Sequence, residues 1–194
     1  MITLYHSPQS RSTRFLWLLE ELGATYEVVK VTIRRNDGSG GPDPRNPNPE
    51  KKVPTLVHDG AMVTESAAIC LYLTDLFPDA DIGPRIGDPK RGPYLSWLAY
   101  YAGVMEPVAV ARAVGRGDEP GEAAAYAAMS KRLEETLTKN SYVLGEKFSG
   151  ADVLVASAFQ WARQLFPEGA VYDNYVARIA KRPALQRSLA KDDA

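Results

Sequence analysis

A proline interrupts a strand-like run at KKVPTLVHDG, residues 51–60, and a short way on TESAAICLYL opens an apolar stretch with Glu65 and Ser66. Val53, Thr55, Leu56 and Val57 carry strand-type side chains, and His58-Asp59-Gly60 reads as a tight turn. Pro54 has no N–H to give to a ladder, so it belongs at a strand edge or strand start. A cis Val53–Pro54 bond, the kind that X-Pro dipeptides adopt at small cost, reverses the chain and turns the N–H and C=O of Val53 outward. An amide edge of that kind can pair with the backbone of a peptide-like ligand, with Lys52 beside it to meet a carboxylate. At Glu65-Ser66 the unpaired amides and the positive end of the helix dipole favour an anion. A ligand carboxylate can take Ser66 and those amides, and a ligand ammonium can take Glu65. The two receivers together suit the amino-acid head of a short peptide. Taken singly, the same residues also serve a scaffold: Thr64 as an N-cap, Glu65 as a favourable first-turn charge, Pro54 as the start of an edge strand.

The chain around these residues has ordinary globular composition, with 45% hydrophobic and 24% charged residues among 194. A net charge of −1 provides no global attraction to nucleic acid or an anionic membrane. The single cysteine, Cys70, excludes an intramolecular disulfide and a multi-cysteine metal site, and only His6 and His58 are available for metal chemistry, so no metal is expected. No apolar run approaches bilayer length and MITLYHSPQS lacks a secretory pattern. The expectation is a cytoplasmic protein without nucleic-acid or membrane partners.

The elements that must hold the residues fall into two halves. ITLYHS reads as a strand with Ile2, Leu4 and His6 on one side, RSTRFLWLLEELG as a helix ended by Gly23, and YEVVKVTI as a second strand. This β-α-β order favours a parallel pair with a right-handed crossover. Residues 36–50 are rich in Gly, Pro and Asn and read as a flexible connection, with no phosphate-loop motif. KVPTLV, the HDG turn, AMV and the helix ESAAICLYLTDLF complete a four-stranded mixed sheet with packed helices over residues 1–78. Residues 79–92 are a linker by composition. Residues 93–194 are helical in pattern: YLSWLAYYAGVMEPVAVARAV, bent or interrupted at Pro107, then GEAAAYAAMSKRLEETLTKN, SGADVLVASAFQWARQL, and YDNYVARIAKRP, stopped at Pro183.

With these segments in order, the chain resembles the cytosolic glutathione S-transferases. VPTLVHDGAMVTESAAICLYL is similar to their glutathione-binding segment, LYHSPQSRSTRFLWLLEELGATYE to their strand-helix-strand entry, SWLAYYAGVMEP to the start of their helical domain, and FSGADVLVASAF to its buried [ST]-x-x-D helix start. The resemblance implies a thioredoxin-like N-terminal domain, an all-helical C-terminal domain, glutathione as co-substrate, a homodimer, and thiolate attack on a small apolar electrophile. It implies Pro54 as the cis-proline and Val53 as the residue pairing with the cysteinyl backbone. Glu65 and Ser66 would hold the γ-glutamyl head and Lys52 the glycyl carboxylate, with Lys51, Arg34, Arg35 or Arg45 able to share that last task. A non-conjugating binding protein, or a glutathione-using isomerase, dehalogenase or peroxidase, is the alternative on the same site.

In that family a hydroxyl or amide donor at the end of the first strand or the start of the first helix activates the thiol. A free thiol has a pKa near 8.5, and a hydrogen bond donated to sulfur favours its ionised form. Ser10, placed S-x-x-x-R before Arg14, resembles the serine-type donor; it also reads as an N-cap for a helix starting at Arg11. Ser12 and Tyr5 are alternatives, and Ser7 and His6 weaker ones. Cys70 lies in an apolar helix and reads as a buried filler. Tyr100, Tyr101 and Met105 are assigned either to an electrophile site or to the core, and Trp97 and Trp161 to the core. Ser149 and Asp152, flanked by Phe148 and Val153, read as a capping box with a hydrophobic staple.

Overall fold

The computed structural model describes residues 1–192, and it divides into two compact units. The first holds strands β1 (Ile2–His6), β2 (Tyr26–Lys30), β3 (Thr55–His58) and β4 (Ala61–Val63) with helices α1 (Thr13–Leu22) and α2 (Ser66–Leu76). The sheet order is β2-β1-β3-β4; β1 and β2 run parallel, β3 antiparallel to both neighbours. Alternation along β1 sends Ile2, Leu4 and His6 inward, and Leu4, its cross-strand partner Leu56, and Leu16, Leu19, Ile69 and Leu73 of the two helices are all fully buried. Each such side chain contributes about 1.5–3 kcal/mol by leaving water. Cys70 fills this core, as expected of it. The β3–β4 reversal is a two-residue turn with positive φ at Asp59 (48°) and Gly60 (86°), the conformation that matches sheet twist.

A last helix, α8 (Pro183–Asp192), belongs to this first unit and packs along α1. The sequence pattern predicts a helix stopped at Pro183 and places residues 93–194 together in the helical half. Pro183 instead opens α8, where its missing N–H is one of the groups a first turn leaves unpaired anyway. Glu20 of α1 ties the helix down by accepting from Lys191, from Arg187 Nε at 2.8 Å and from the Tyr26 hydroxyl at 2.8 Å. Burial pushes the Glu20 carboxyl up, but these hydrogen bonds more than reverse it, to about 2.

Residues 36–50 are more constrained than their composition implies. The Asn46 and Asn48 side chains are buried and donate to the Lys52 carbonyl at 2.9 and 3.3 Å, and Asn48 donates also to Thr55 Oγ1 at 3.2 Å. Asx side chains replace the missing ladder by bonding the backbone directly. The long connection is therefore anchored to the residues just before β3.

The second unit, Asp81–Arg182, holds α3 (Arg91–Tyr100), α4 (Glu106–Ala113), α5 (Pro120–Lys139), α6 (Gly150–Trp161) and α7 (Ala170–Ala180). Between α3 and α4 the chain makes a π-turn, Tyr101–Met105, in which the Glu106 N–H donates to the Tyr101 carbonyl five residues back. Pro107 follows immediately; lacking an N–H, it cannot continue the α-type ladder, and the wider turn absorbs the mismatch. Trp97 is buried as expected, whereas Trp161, assigned to the core from its type alone, is 58% exposed at the end of α6. No helix among the described residues is long and apolar enough to cross a membrane.

Candidate functional site

The sheet register gathers the sequence candidates of the first unit at one edge. Tyr5 pairs with Thr55, and Leu56 with Val63, so the end of β1, the start of β3 and the end of β4 lie side by side. Adjacent strands are about 4.8 Å apart. The turn at residues 7–12, the Val53–Pro54 step and the Glu65–Ser66 step thus share about 10 Å of sheet edge.

The Val53–Pro54 bond is cis and Pro54 directly precedes β3. Val53 is buried, yet its backbone N–H and C=O have no hydrogen-bond partner among the described residues. Buried backbone groups are nearly always paired, so this pair is an exception. Glu65 is the N-cap of α2 and holds a left-handed φ of 66°; Ser66 opens the helix, which differs from Thr64 as cap. A left-handed non-glycine residue is costly and collects at ligand sites. Neither the Glu65 carboxylate nor the Ser66 hydroxyl has a partner among the described residues, and the first amides of α2 are the orphans of a helix start.

The basic candidates differ in availability. Lys52 is exposed and ion-paired with Glu50, whose hydrogen bond raises the ammonium pKa; Glu65 adds to that effect, which locates it within electrostatic reach. Lys51 Nζ donates to the Asn46 carbonyl at 2.6 Å. Arg45 is engaged by Asp43 at 2.7 Å and by the Lys30 carbonyl at 2.8 Å. Arg35 folds onto the turn before α1, donating to Ser7 Oγ, to the Pro8 carbonyl (2.8 Å) and to the Gln9 carbonyl. Arg34 is exposed.

The serine turn is more elaborate than a cap. α1 begins at Thr13 with Ser12 as its N-cap, not at Arg11 after Ser10. Ser12 is fully buried and its Oγ lies 2.8 Å from His6 Nδ1, 2.7 Å from Ser10 Oγ and 3.1 Å from the Ser7 N–H. Ser10 is half-buried; its Oγ lies 2.7 Å from the Ser7 carbonyl and accepts the Ser12 N–H at 3.2 Å. Gln9 holds a left-handed φ of 53°, with its N–H donating to Asp192 Oδ2 at 3.0 Å. Asp192 Oδ1 accepts from Thr13 Oγ1 at 2.6 Å and lies 3.2 Å from His6 Nε2. Asp192 and Arg35 therefore clamp the turn that carries Ser10, a role no local motif announces. Tyr5 is half-buried and leaves β1 on the face opposite His6.

In the second unit, Tyr101 and Met105 are buried, at 1% and 0% exposure. Tyr100 is half-buried, packed edge-on to Trp97 and covered by the Arg132 guanidinium 3.8 Å from its ring centre. Burial raises the Tyr100 hydroxyl while Arg132 opposes it. Asp152 is fully buried: it accepts from the Ser149 N–H and hydroxyl at 2.9 Å each, the Val143 N–H at 2.9 Å and the Tyr175 hydroxyl at 3.0 Å. That is the capping arrangement expected of it, extended by two further donors.

Residues 1–75 match the family described as "Glutathione S-transferase, N-terminal domain", and residues 119–187 match "Glutathione S-transferase, C-terminal domain". The "Glutathione S-transferase GstA" of Escherichia coli O157:H7 is 28% identical over 97% of this chain and 98% of its own. An "Uncharacterized GST-like protein" of Streptococcus mutans is 30% identical over 90% of this chain and 74% of its own. The solved structure of a sphingomonad glutathione S-transferase complexed with glutathione superposes with a TM-score of 0.79 at 29% identity, over 98% of both chains.

Proposed function

The chain belongs to the glutathione S-transferase family and is a glutathione transferase; from that premise we propose how its own residues bind glutathione and activate the thiol. Val53 pairs through its free N–H and C=O with the cysteinyl backbone, in the manner of an added strand. Glu65 takes the γ-glutamyl ammonium, while the Ser66 hydroxyl and the first amides of α2 take its carboxylate. Lys52 exchanges Glu50 for the glycyl carboxylate, with exposed Arg34 as the nearest substitute; Arg35, Arg45 and Lys51 are already occupied by the protein. Ser10 donates to the sulfur once its proton has left its acceptors inside the turn, the Ser7 carbonyl and Ser12 Oγ.

The observation that carries this reading is the coincidence, on one sheet edge, of unpaired backbone at Val53 and unpaired polar side chains at Glu65 and Ser66. Titration of reduced glutathione into the protein by calorimetry tests it. The wild type should bind saturably, and Glu65→Ala/Ser66→Ala should lose at least tenfold in affinity, since each charge-assisted hydrogen bond contributes about 1.5–3 kcal/mol. Equal affinity in a folded double variant would move the head group elsewhere.

The electrophile takes an apolar site in which Tyr100 is the contact residue, its ring held by Trp97 and Arg132, with Tyr101 and Met105 as the packing behind it. The protein acts as a cytoplasmic homodimer in this reading; sedimentation at two concentrations reads the assembly, and a concentration-independent monomer would exclude it. One observation favours binding without turnover as a second reading. The Ser10 proton already has two acceptors inside the turn, at 2.7 Å each.

A further inference from the structure

Behind Ser10 runs a continuous line of buried polar atoms that neither glutathione binding nor a plain cap requires. Ser10 Oγ lies 2.7 Å from Ser12 Oγ, Ser12 Oγ 2.8 Å from His6 Nδ1, and His6 Nε2 3.2 Å from Asp192 Oδ1. All four residues belong to the first unit. His6 has no exposed surface, and its Nε2 has no aligned hydrogen bond, Asp192 being close but off-line. A buried imidazole with one nitrogen in a hydroxyl chain and the other against a carboxylate is an expensive way to fill a core.

The tautomer follows from the charges. A nitrogen lone pair facing the Asp192 carboxylate would be repelled, so Nε2 carries the proton and Nδ1 accepts from the Ser12 hydroxyl. Ser12 Oγ then uses its two lone pairs for the Ser7 N–H at 3.1 Å and the Ser10 O–H. Ser10 Oγ accepts the Ser12 N–H at 3.2 Å and keeps one lone pair outward. The Ser7 carbonyl, 2.7 Å from Ser10 Oγ and 3.2 Å from Ser12 Oγ, is the competing acceptor for either hydroxyl proton, and the His6 Nε2–H faces Asp192 without an aligned bond.

We propose that Ser10, Ser12, His6 and Asp192 form a proton relay that takes the glutathione thiol proton into the protein. The step rests on the placement of Ser10 at the sulfur argued above. The S–H bond breaks as an O–H bond forms at Ser10; the former Ser10 proton passes to Ser12 Oγ, and the former Ser12 proton to His6 Nδ1. The products are a thiolate accepting the new Ser10 O–H and an imidazolium whose Nε2–H faces Asp192. No atom or electron leaves the set, and the hydroxyl that began as an acceptor ends as the donor that holds the thiolate. Burial lowers the His6 pKa and Lys30, opposite His6 in the β1–β2 register, lowers it further, while Asp192 raises it. The resting imidazole is thus neutral; its lowered pKa opposes uptake of the proton, and it is Asp192 and the new thiolate charge that favour the imidazolium. This also accounts for the inward-pointing Ser10 proton: it is the starting position of the relay.

The test compares thiolate formed with protons released. Reduced glutathione is titrated into the full-length protein while the thiolate is read by its ultraviolet absorbance. Proton release is read by calorimetry in buffers of different ionisation heat. The wild type is expected to form thiolate with far less than a matching release of protons. His6→Asn keeps an acceptor for Ser12 but cannot take a proton; it should release a proton for each thiolate and lose about 100-fold in kcat/KM near neutral pH, with glutathione affinity unchanged. Asp192→Asn, at the chain's last described turn, should shift the stoichiometry the same way and carries the test if the His6 variant does not fold. Matching release in the wild type, or wild-type stoichiometry in the folded variants, overturns the relay alone. Wild-type thiolate formation in Ser10→Ala, or none in the wild type, overturns the reading of Ser10 on which it rests.

Discussion

Replacing Ser10 by alanine is expected to lower kcat for conjugation by about 10- to 100-fold while leaving glutathione affinity nearly unchanged. A hydrogen bond to a charged group contributes about 1.5–3 kcal/mol, and each pKa unit corresponds to 1.36 kcal/mol. The bound thiol should therefore titrate about one to two units higher in the variant, visible in the pH profile of kcat. The residues proposed to bind glutathione, Val53, Glu65 and Ser66, lie away from the Ser10 turn in the chain, so KM for glutathione should move little. Ser12→Ala is not an equivalent test, because the buried Ser12 hydroxyl holds the turn together through Ser7, His6 and Ser10. Tyr5→Phe is the decisive control. A large loss there, with Ser10→Ala active, would transfer the donor role to the strand.

The other large effect is on stability and lies far from the chemistry in sequence. Asp152→Ala should destabilise the protein by about 3 kcal/mol, because it strands two buried backbone donors at about 1–3 kcal/mol each. For a chain of this length that is about a 10 °C fall in melting temperature. The Val143 and Ser149 N–H groups and the Tyr175 hydroxyl would all lose their acceptor. Relief of the buried charge offsets part of the loss. Burial pushes the Asp152 carboxyl up to about 6 against those same hydrogen bonds, from an ordinary 3.8. The sign follows: the unfolded chain gives up this proton first, so Asp152's contribution is largest near pH 4 and shrinks as the pH rises to about 6. The gap in melting temperature between wild type and variant should narrow over that window and then stay constant. Glutathione affinity per folded molecule should be unaffected. Weakened binding at unchanged melting temperature would move Asp152 from scaffold to site.

The parts legible in the sequence are those whose physics is local. Pro54 could only begin a strand, because it has no ladder donor. HDG could only be a tight turn, and Ser149 with Asp152 could cap a helix within a single turn. Hydrophobic period separated the sheet half from the helical half, and the β-α-β spacing determined the parallel pair. Composition misled where side chains replace a ladder: residues 36–50 read as flexible, yet Asn46 and Asn48 pin them through the Lys52 carbonyl. It misled again for Trp161, whose burial depends on what covers the end of α6 and not on residue type.

What the sequence by itself determined, then, was the order of elements, the Val53–Pro54 and Glu65–Ser66 steps as candidate receivers, and a short list of candidate hydroxyls. Only the tertiary structure showed what surrounds and holds them. Gln9 and Asp192 are 183 positions apart, and no periodicity or motif links them. They meet because α8 packs on α1, and a packing partner is chosen by the summed fit of two apolar faces and the Glu20 clamp, not by any residue pair in the chain. The same assembly takes a histidine that looked incidental on β1, strips it of water, and sets it between a serine and a carboxylate. Burial and long-range contact set the proton positions in such a site, and both are properties of the folded chain.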